Sequence, residues 1–197
     1  MKSLPFISIL CLLLTAFSCS HQKTVQPQTV DPLAKYRDTI VGNFSGSQID
    51  TLISEPLDSL SEPIVGNERF HFQWRVFAKN GSVDEVIINN TIGVKLVKEG
   101  DLDGDGAEEW GYKSEWHSSN WMMYHVYTYK DGNPQYLYEP SSIWDSHVYP
   151  NEYEGISIKL EDIVSSYSCD FIKVKFSDIR NNGENFLLID TIMPIIR

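Results

Sequence analysis

The strongest constraint on the fold is a two-residue period of apolar side chains, repeated in short segments and punctuated by turn dipeptides. In Phe70 to Val76 (FHFQWRV), Phe70, Phe72, Trp74 and Val76 point one way and His71, Gln73 and Arg75 the other. Successive side chains of a strand leave opposite faces, so this pattern predicts a half-buried strand. After the turn signal Lys79-Asn80-Gly81, Val83 to Ile88 and Ile92 to Val97 are rich in β-branched residues and read as two more strands. Tyr124 to Tyr129 (YHVYTY) alternates again, and the Asp131-Gly132 turn before Gln135 to Tyr138 predicts a hairpin. Ile156, Ile158 and Leu160 alternate with Ser157 and Lys159, and Ile172, Val174 and Phe176 alternate with Lys173 and Lys175; Phe186 to Ile189 and Ile192 to Ile195 close the chain. No segment after residue 40 carries three helical turns of apolar spacing with caps. The expected fold class is mainly β: a single compact antiparallel domain over 39–197, as a sandwich, a small barrel or a propeller-blade-like sheet, with little helix.

Between two of these segments lies Gly100-Asp101-Leu102-Asp103-Gly104-Asp105-Gly106-Ala107-Glu108-Glu109. Calcium takes six to eight hard oxygens, and a tight loop with carboxylates at alternate positions aims several of them at one point. Asp101, Asp103 and Asp105 hold positions one, three and five. Gly106 holds position six, where the chain turns sharply, the Ala107 carbonyl is at seven, and Glu109 is at nine. Without a cation these acids repel one another by a few kcal/mol in total at surface dielectric; the bland alternative is a solvated acidic turn. Position twelve is Tyr112, not the bidentate glutamate of a helix-loop-helix calcium hand, and the flanks are strand-like. Glu99 to Gly106 with the acid at position nine resembles the calcium loops of FG-GAP and VCBS-type repeats, which join two β-strands. That resemblance covers about fifteen residues. It implies a structural Ca2+ held by Asp101, Asp103, Asp105, the Ala107 carbonyl and Glu109.

A repeat at this spacing is also suggested. Val41-Gly42-Asn43-Phe44-Ser45-Gly46, followed by Asp50, can be laid against Glu99 to Gly104, with Asn43 and Asp101 58 positions apart. This upstream copy lacks ligands. A fainter echo, Asp178-Ile179-Arg180-Asn181-Asn182-Gly183, carries an arginine that would oppose a cation.

The N-terminus sets the expected location. Lys2 precedes an apolar stretch from Ile7 to Phe17, too short to span a bilayer, which reads as a secretory signal over residues 1–18. Leu13, Leu14 and Ala16-Phe17-Ser18-Cys19 resemble the lipobox of bacterial lipoproteins, which implies lipidation at Cys19 and a chain anchored to the inner or outer membrane of the cell envelope. Ser20 to about Arg37 is polar and aperiodic and suits a tether. With Cys11 in the signal and Cys19 lipidated, only Cys169 remains, so no intramolecular disulfide is expected and Cys169 reads as a small buried residue.

Removing Lys2 from 16 basic residues leaves 15 against 27 acidic ones, a net charge of −12. Such a body repels nucleic acid and suits cations, basic proteins or neutral glycans. Glu115, Trp116, His117, Trp121, His125, Trp144, Asp145 and His147 gather aromatics and titratable groups between 113 and 147. They show no metal-ligand spacing, and the chain lacks a nucleophile elbow, a Cys-His context or a phosphate loop. The leading expectation is a non-enzymatic, calcium-stabilised module that presents loops or aromatics to a glycan or protein partner. The alternatives are an acidic inhibitor or immunity-type protein that blocks a basic partner, and a hydrolase of envelope polymers.

Overall fold

A strand with one dry face leaves its edge amides unpaired until a neighbour takes them, and fourteen strands do so among the described residues. The computed structural model describes residues 31, 33–57, 61–65, 68–115, 119–148, 158–178, 180 and 186–197, of which 61–65 and 68–71 are described by backbone alone. One antiparallel sheet has the order β1 (Asp38–Gly42), β2 (Asp50–Pro56), β5 (Gln73–Ala78), β6 (Val86–Asn89), and β3 (Ser61–Val65) with β4 (Glu68–His71) forms a separate hairpin. The central sheet runs β7 (Gly93–Gly100), β8 (Glu109–Glu115), β9 (Trp121–Lys130), β10 (Asn133–Tyr136). β11 (Ser141–Trp144) shares the far edge of β9 with β10: Tyr136 pairs with Tyr127 and Ser141 with Tyr124. The third sheet is β12 (Val164–Ser168), β13 (Phe171–Asp178), β14 (Leu187–Pro194). The expectation of a mainly β domain is borne out: all the helix among the described residues is three single 3-10 turns.

The central sheet is dry on both sides. Trp110, Tyr112, Tyr127 and Tyr129 face a core completed by Phe44, Leu52, Trp74 and Val76 of the first sheet. Met122, Tyr124 and Val126 face a second core built with Ile143, Ile163, Ile172 and Val174. This explains why β9 (WMMYHVYTYK) is apolar at nearly every position, since a strand covered on both faces has no wet face to mark with polar residues. Trp110, fully buried, stacks on Tyr127 at 4.9 Å between centroids and 11° between planes, an arrangement worth about 0.5–1.5 kcal/mol beyond area burial.

Polar struts join the layers. Asp38 accepts the Leu96 N–H at 2.9 Å and pairs with Lys95 at 3.0 Å, tying the edge of the first sheet to β7. Ser177 of β13 accepts the Trp144 N–H at 2.8 Å. The nearly buried Glu55 is gripped by Arg37 at 2.6 Å and Arg75 at 2.5 Å.

Several expectations need correction in detail. The folded body begins before residue 39: Ala34–Tyr36 form a 3-10 turn, Tyr36 packs on the first core and Arg37 holds Glu55, so the tether ends earlier than Arg37. The run of alternating residues ending at Leu160 gives no strand among its described positions; Leu160–Asp162 is a 3-10 turn that caps the second core. Phe72 breaks the FHFQWRV strand and is 40% exposed, while Trp74 and Val76 are buried as expected. Phe186 to Ile195 supplies one strand, not two. Cys169 is exposed in the β12–β13 turn, because the sheet reverses there and the turn has no inner face to offer it. Residues 1–30, including Cys19, lie outside the described residues.

Candidate metal centre

β7 and β8 pair in register from Gly93 with Glu115 to Lys98 with Trp110, then slip by one residue so that Gly100 lies opposite Glu109. The eight residues between must reverse the chain, and Gly104 (φ +79°) and Gly106 (φ +91°) do it in left-handed conformations that side chains resist. The carboxylates hold the loop from inside. Asp101 accepts the Gly104 N–H at 2.7 Å with one oxygen and the Gly106 N–H at 3.1 Å with the other. Asp103 accepts the Asp105 N–H at 3.1 Å, and Asp105 accepts the Ala107 N–H at 2.7 Å. Glu109, the first residue of β8, reaches back to the Leu102 N–H at 2.5 Å through Oε2.

Of the residues singled out from sequence, Asp101, Asp103 and Glu109 each bring a carboxylate oxygen within 4.8 Å of the other two. Asp105 stands in the same loop but outside that group, with its carboxylate turned to the backbone; Ala107 is buried beside them. Glu109 is fully buried, and its Oε1 has no hydrogen-bond partner among the described residues. A buried carboxylate oxygen left bare costs about 1–3 kcal/mol or more. Burial, reinforced by the charges of Asp103 and Asp105, pushes the Glu109 carboxyl up to about 8 against the opposing Leu102 N–H and Thr128 hydroxyl. Burial and the neighbouring Asp105 and Asp101 also raise Asp103. Crowded, all-oxygen and short of positive charge, this donor set is what a hard divalent cation satisfies.

Two glutamates that sequence reasoning left without a role frame the loop. Glu108 faces away from its neighbour Glu109: it accepts the Asn43 N–H at 2.7 Å, pairs with Lys98 at 2.9 Å and returns its own N–H to the Asn43 carbonyl at 2.8 Å. The upstream turn aligned with this loop as a repeat is therefore its spatial neighbour. Glu99 accepts a hydrogen bond from the Tyr124 hydroxyl, and burial pushes its carboxyl up to about 8, with Glu161 and Glu109 adding to the effect. Gly111 makes that pair fit, since a Cβ there would lie 2.6 Å from the Tyr124 oxygen and 2.9 Å from Glu99. In the echo at Asp178, Arg180 forks onto both carboxylate oxygens at 2.8 Å.

The aromatic and titratable candidates separate. His125 stacks on Tyr112 at 4.5 Å, and burial lowers its imidazole to about 4. His147 is buried between Ser177 and the Phe186 carbonyl. Trp121 packs edge to face on Trp144 and Phe186, which are tilted on each other, all with centroids within 5.1 Å. Glu115, Trp121 and Asp145 line a cavity of about 190 Å³ together with Lys113. Trp116 and His117 lie outside the described residues. Comparison with protein-family models, with curated proteins and with solved structures returns no match for this chain.

Proposed function

We propose that this chain is a calcium-stabilised β-domain carried on a lipidated Cys19 at a bacterial membrane, a non-enzymatic module that binds a glycan or protein partner. The observation that carries the calcium reading is Glu109: a fully buried carboxylate, one oxygen bare, within reach of Asp101 and Asp103. A divalent ion between these three supplies the missing partner, replaces the proton that burial otherwise favours on Glu109, and fixes the two strands that the loop joins. In that role the ion is structural, binding the folded state and adding stability as its concentration exceeds its dissociation constant.

Calorimetric titration of the purified protein tests this. Calcium should bind once, with about one proton released at pH 7 because Glu109 must ionise, and Glu109→Gln should lose binding by tenfold or more. A wild-type protein that takes up no calcium at millimolar concentration would reduce the loop to an acidic turn.

A further inference from the structure

Beside the loop opens a cavity of about 240 Å³ whose wall includes Asp103, Asp105, Thr128, Tyr129, Lys130 and Gln135. Asp103 belongs both to this wall and to the converging carboxylates, so an ion held there turns one side to the cavity. Resting on the calcium reading above, we infer that the cation is also a ligand contact, and that the cavity takes a single neutral sugar ring whose adjacent hydroxyls complete the ion's coordination.

The argument is one of count, charge and size. Calcium asks for six to eight oxygens, and three converging carboxylates leave positions to be filled from outside the protein. Asp105 stands outside the converging group, so those positions fall to oxygens that enter through the cavity. Four acids of the loop face the two charges of the ion and the one of Lys130. Arg197 also lines the cavity and its charge reaches Asp103, but Asp170 pairs with it at 2.8 Å and offsets that charge, and the Cys169 carbonyl takes the same nitrogen at 2.6 Å. The site therefore stays net negative with the ion in place, which opposes a carboxylate or phosphate and admits a neutral oxygen ligand. A vicinal diol offers two such oxygens at the spacing one ion can accept, while Gln135 and Lys130 supply hydrogen-bonding groups for the remaining hydroxyls. The volume falls below the about 300–1,000 Å³ typical of drug-sized ligands, as befits one ring.

Terbium in place of calcium reads both halves of this inference. Tyr129 in the cavity wall should sensitise its emission, and lifetimes in H2O and D2O count the waters on the bound ion. The expected result is at least one ion-bound water, displaced by one or more of the methyl glycosides of mannose, galactose and glucose, which present cis and trans diols. Gln135→Ala should weaken that displacement about tenfold, the worth of one hydrogen bond, at unchanged terbium affinity. Bound terbium with no water, or with water that none of the glycosides displaces, overturns the inference and leaves structural calcium standing. Failure of terbium and calcium alike to bind removes the calcium reading itself.

Discussion

Two adjacent glutamates with the same side chain end in opposite situations. Glu108 is held below the usual carboxylate range, first by the Lys98 ammonium and then by the Asn43 N–H. Glu109, one residue on, points to the other face of β8 and is raised to about 8 by burial. Without the ion, a carboxyl whose value rises from 4.5 to about 8 on folding binds its proton more tightly in the folded state. Its contribution to stability is complete below pH 4.5 and is lost as pH rises through 8, declining by about 1.4 kcal/mol for each step of one pH between those limits. In EDTA, Glu109→Gln should therefore melt about 10 °C or more above the wild type at pH 8.5 and close to it at pH 5, and calcium should raise only the wild type. Paired melts at the two pH values check this. Asp101, Asp103 and Glu109 were legible in the sequence because a loop ties position to direction over nine residues. The Glu99–Tyr124 pair was not, since its partners lie 25 residues apart and meet only through the register of β7, β8 and β9. The burial expected of Cys169 failed because a turn residue takes its exposure from the sheet edge and not from its own polarity.

Among elements, the best-specified is the β9–β10 hairpin. Lys130 pairs with Asn133 across Asp131 (φ +53°) and Gly132 (φ +81°), a two-residue turn in which both central residues are left-handed, as Asp-Gly leads one to expect. Gly132→Ala should cost about 1 kcal/mol through that backbone conformation alone, as read by urea unfolding. Gly111→Ala should cost more, about 1–3 kcal/mol, because its Cβ meets Tyr124 and Glu99 in the middle of a packed sheet; the same unfolding curves compare the two. Alternation located β5, β9 and β13, and β-branched content located β7. It misassigned Leu160, because a short apolar run carries the same pattern whether it enters a core as a strand or as a 3-10 turn. It also did not show that β9 serves two cores, since a period of two is silent about what covers each face.

At the scale of the molecule, two cores flank the central sheet, and the loop of acids joins its paired strands β7 and β8. Neutralising that loop therefore steadies the layer on which both cores are built. The net charge of −11 makes the apo protein repel itself, so moderate salt should raise its melting point without calcium, and less so once calcium is bound. The proposed lipidation concerns residues outside the described ones: Cys19→Ala should move the protein from the membrane fraction to the soluble fraction and abolish incorporation of labelled palmitate. The central claim is that the loop is a structural calcium site, and thermal unfolding of residues 20 to 197 tests it most directly. The protein is melted in excess EDTA and in millimolar calcium, beside the double variant Asp103→Ala, Asp105→Ala. A calcium-dependent rise in midpoint that the variant loses is the predicted result; equal midpoints for the wild type in EDTA and in calcium would contradict it.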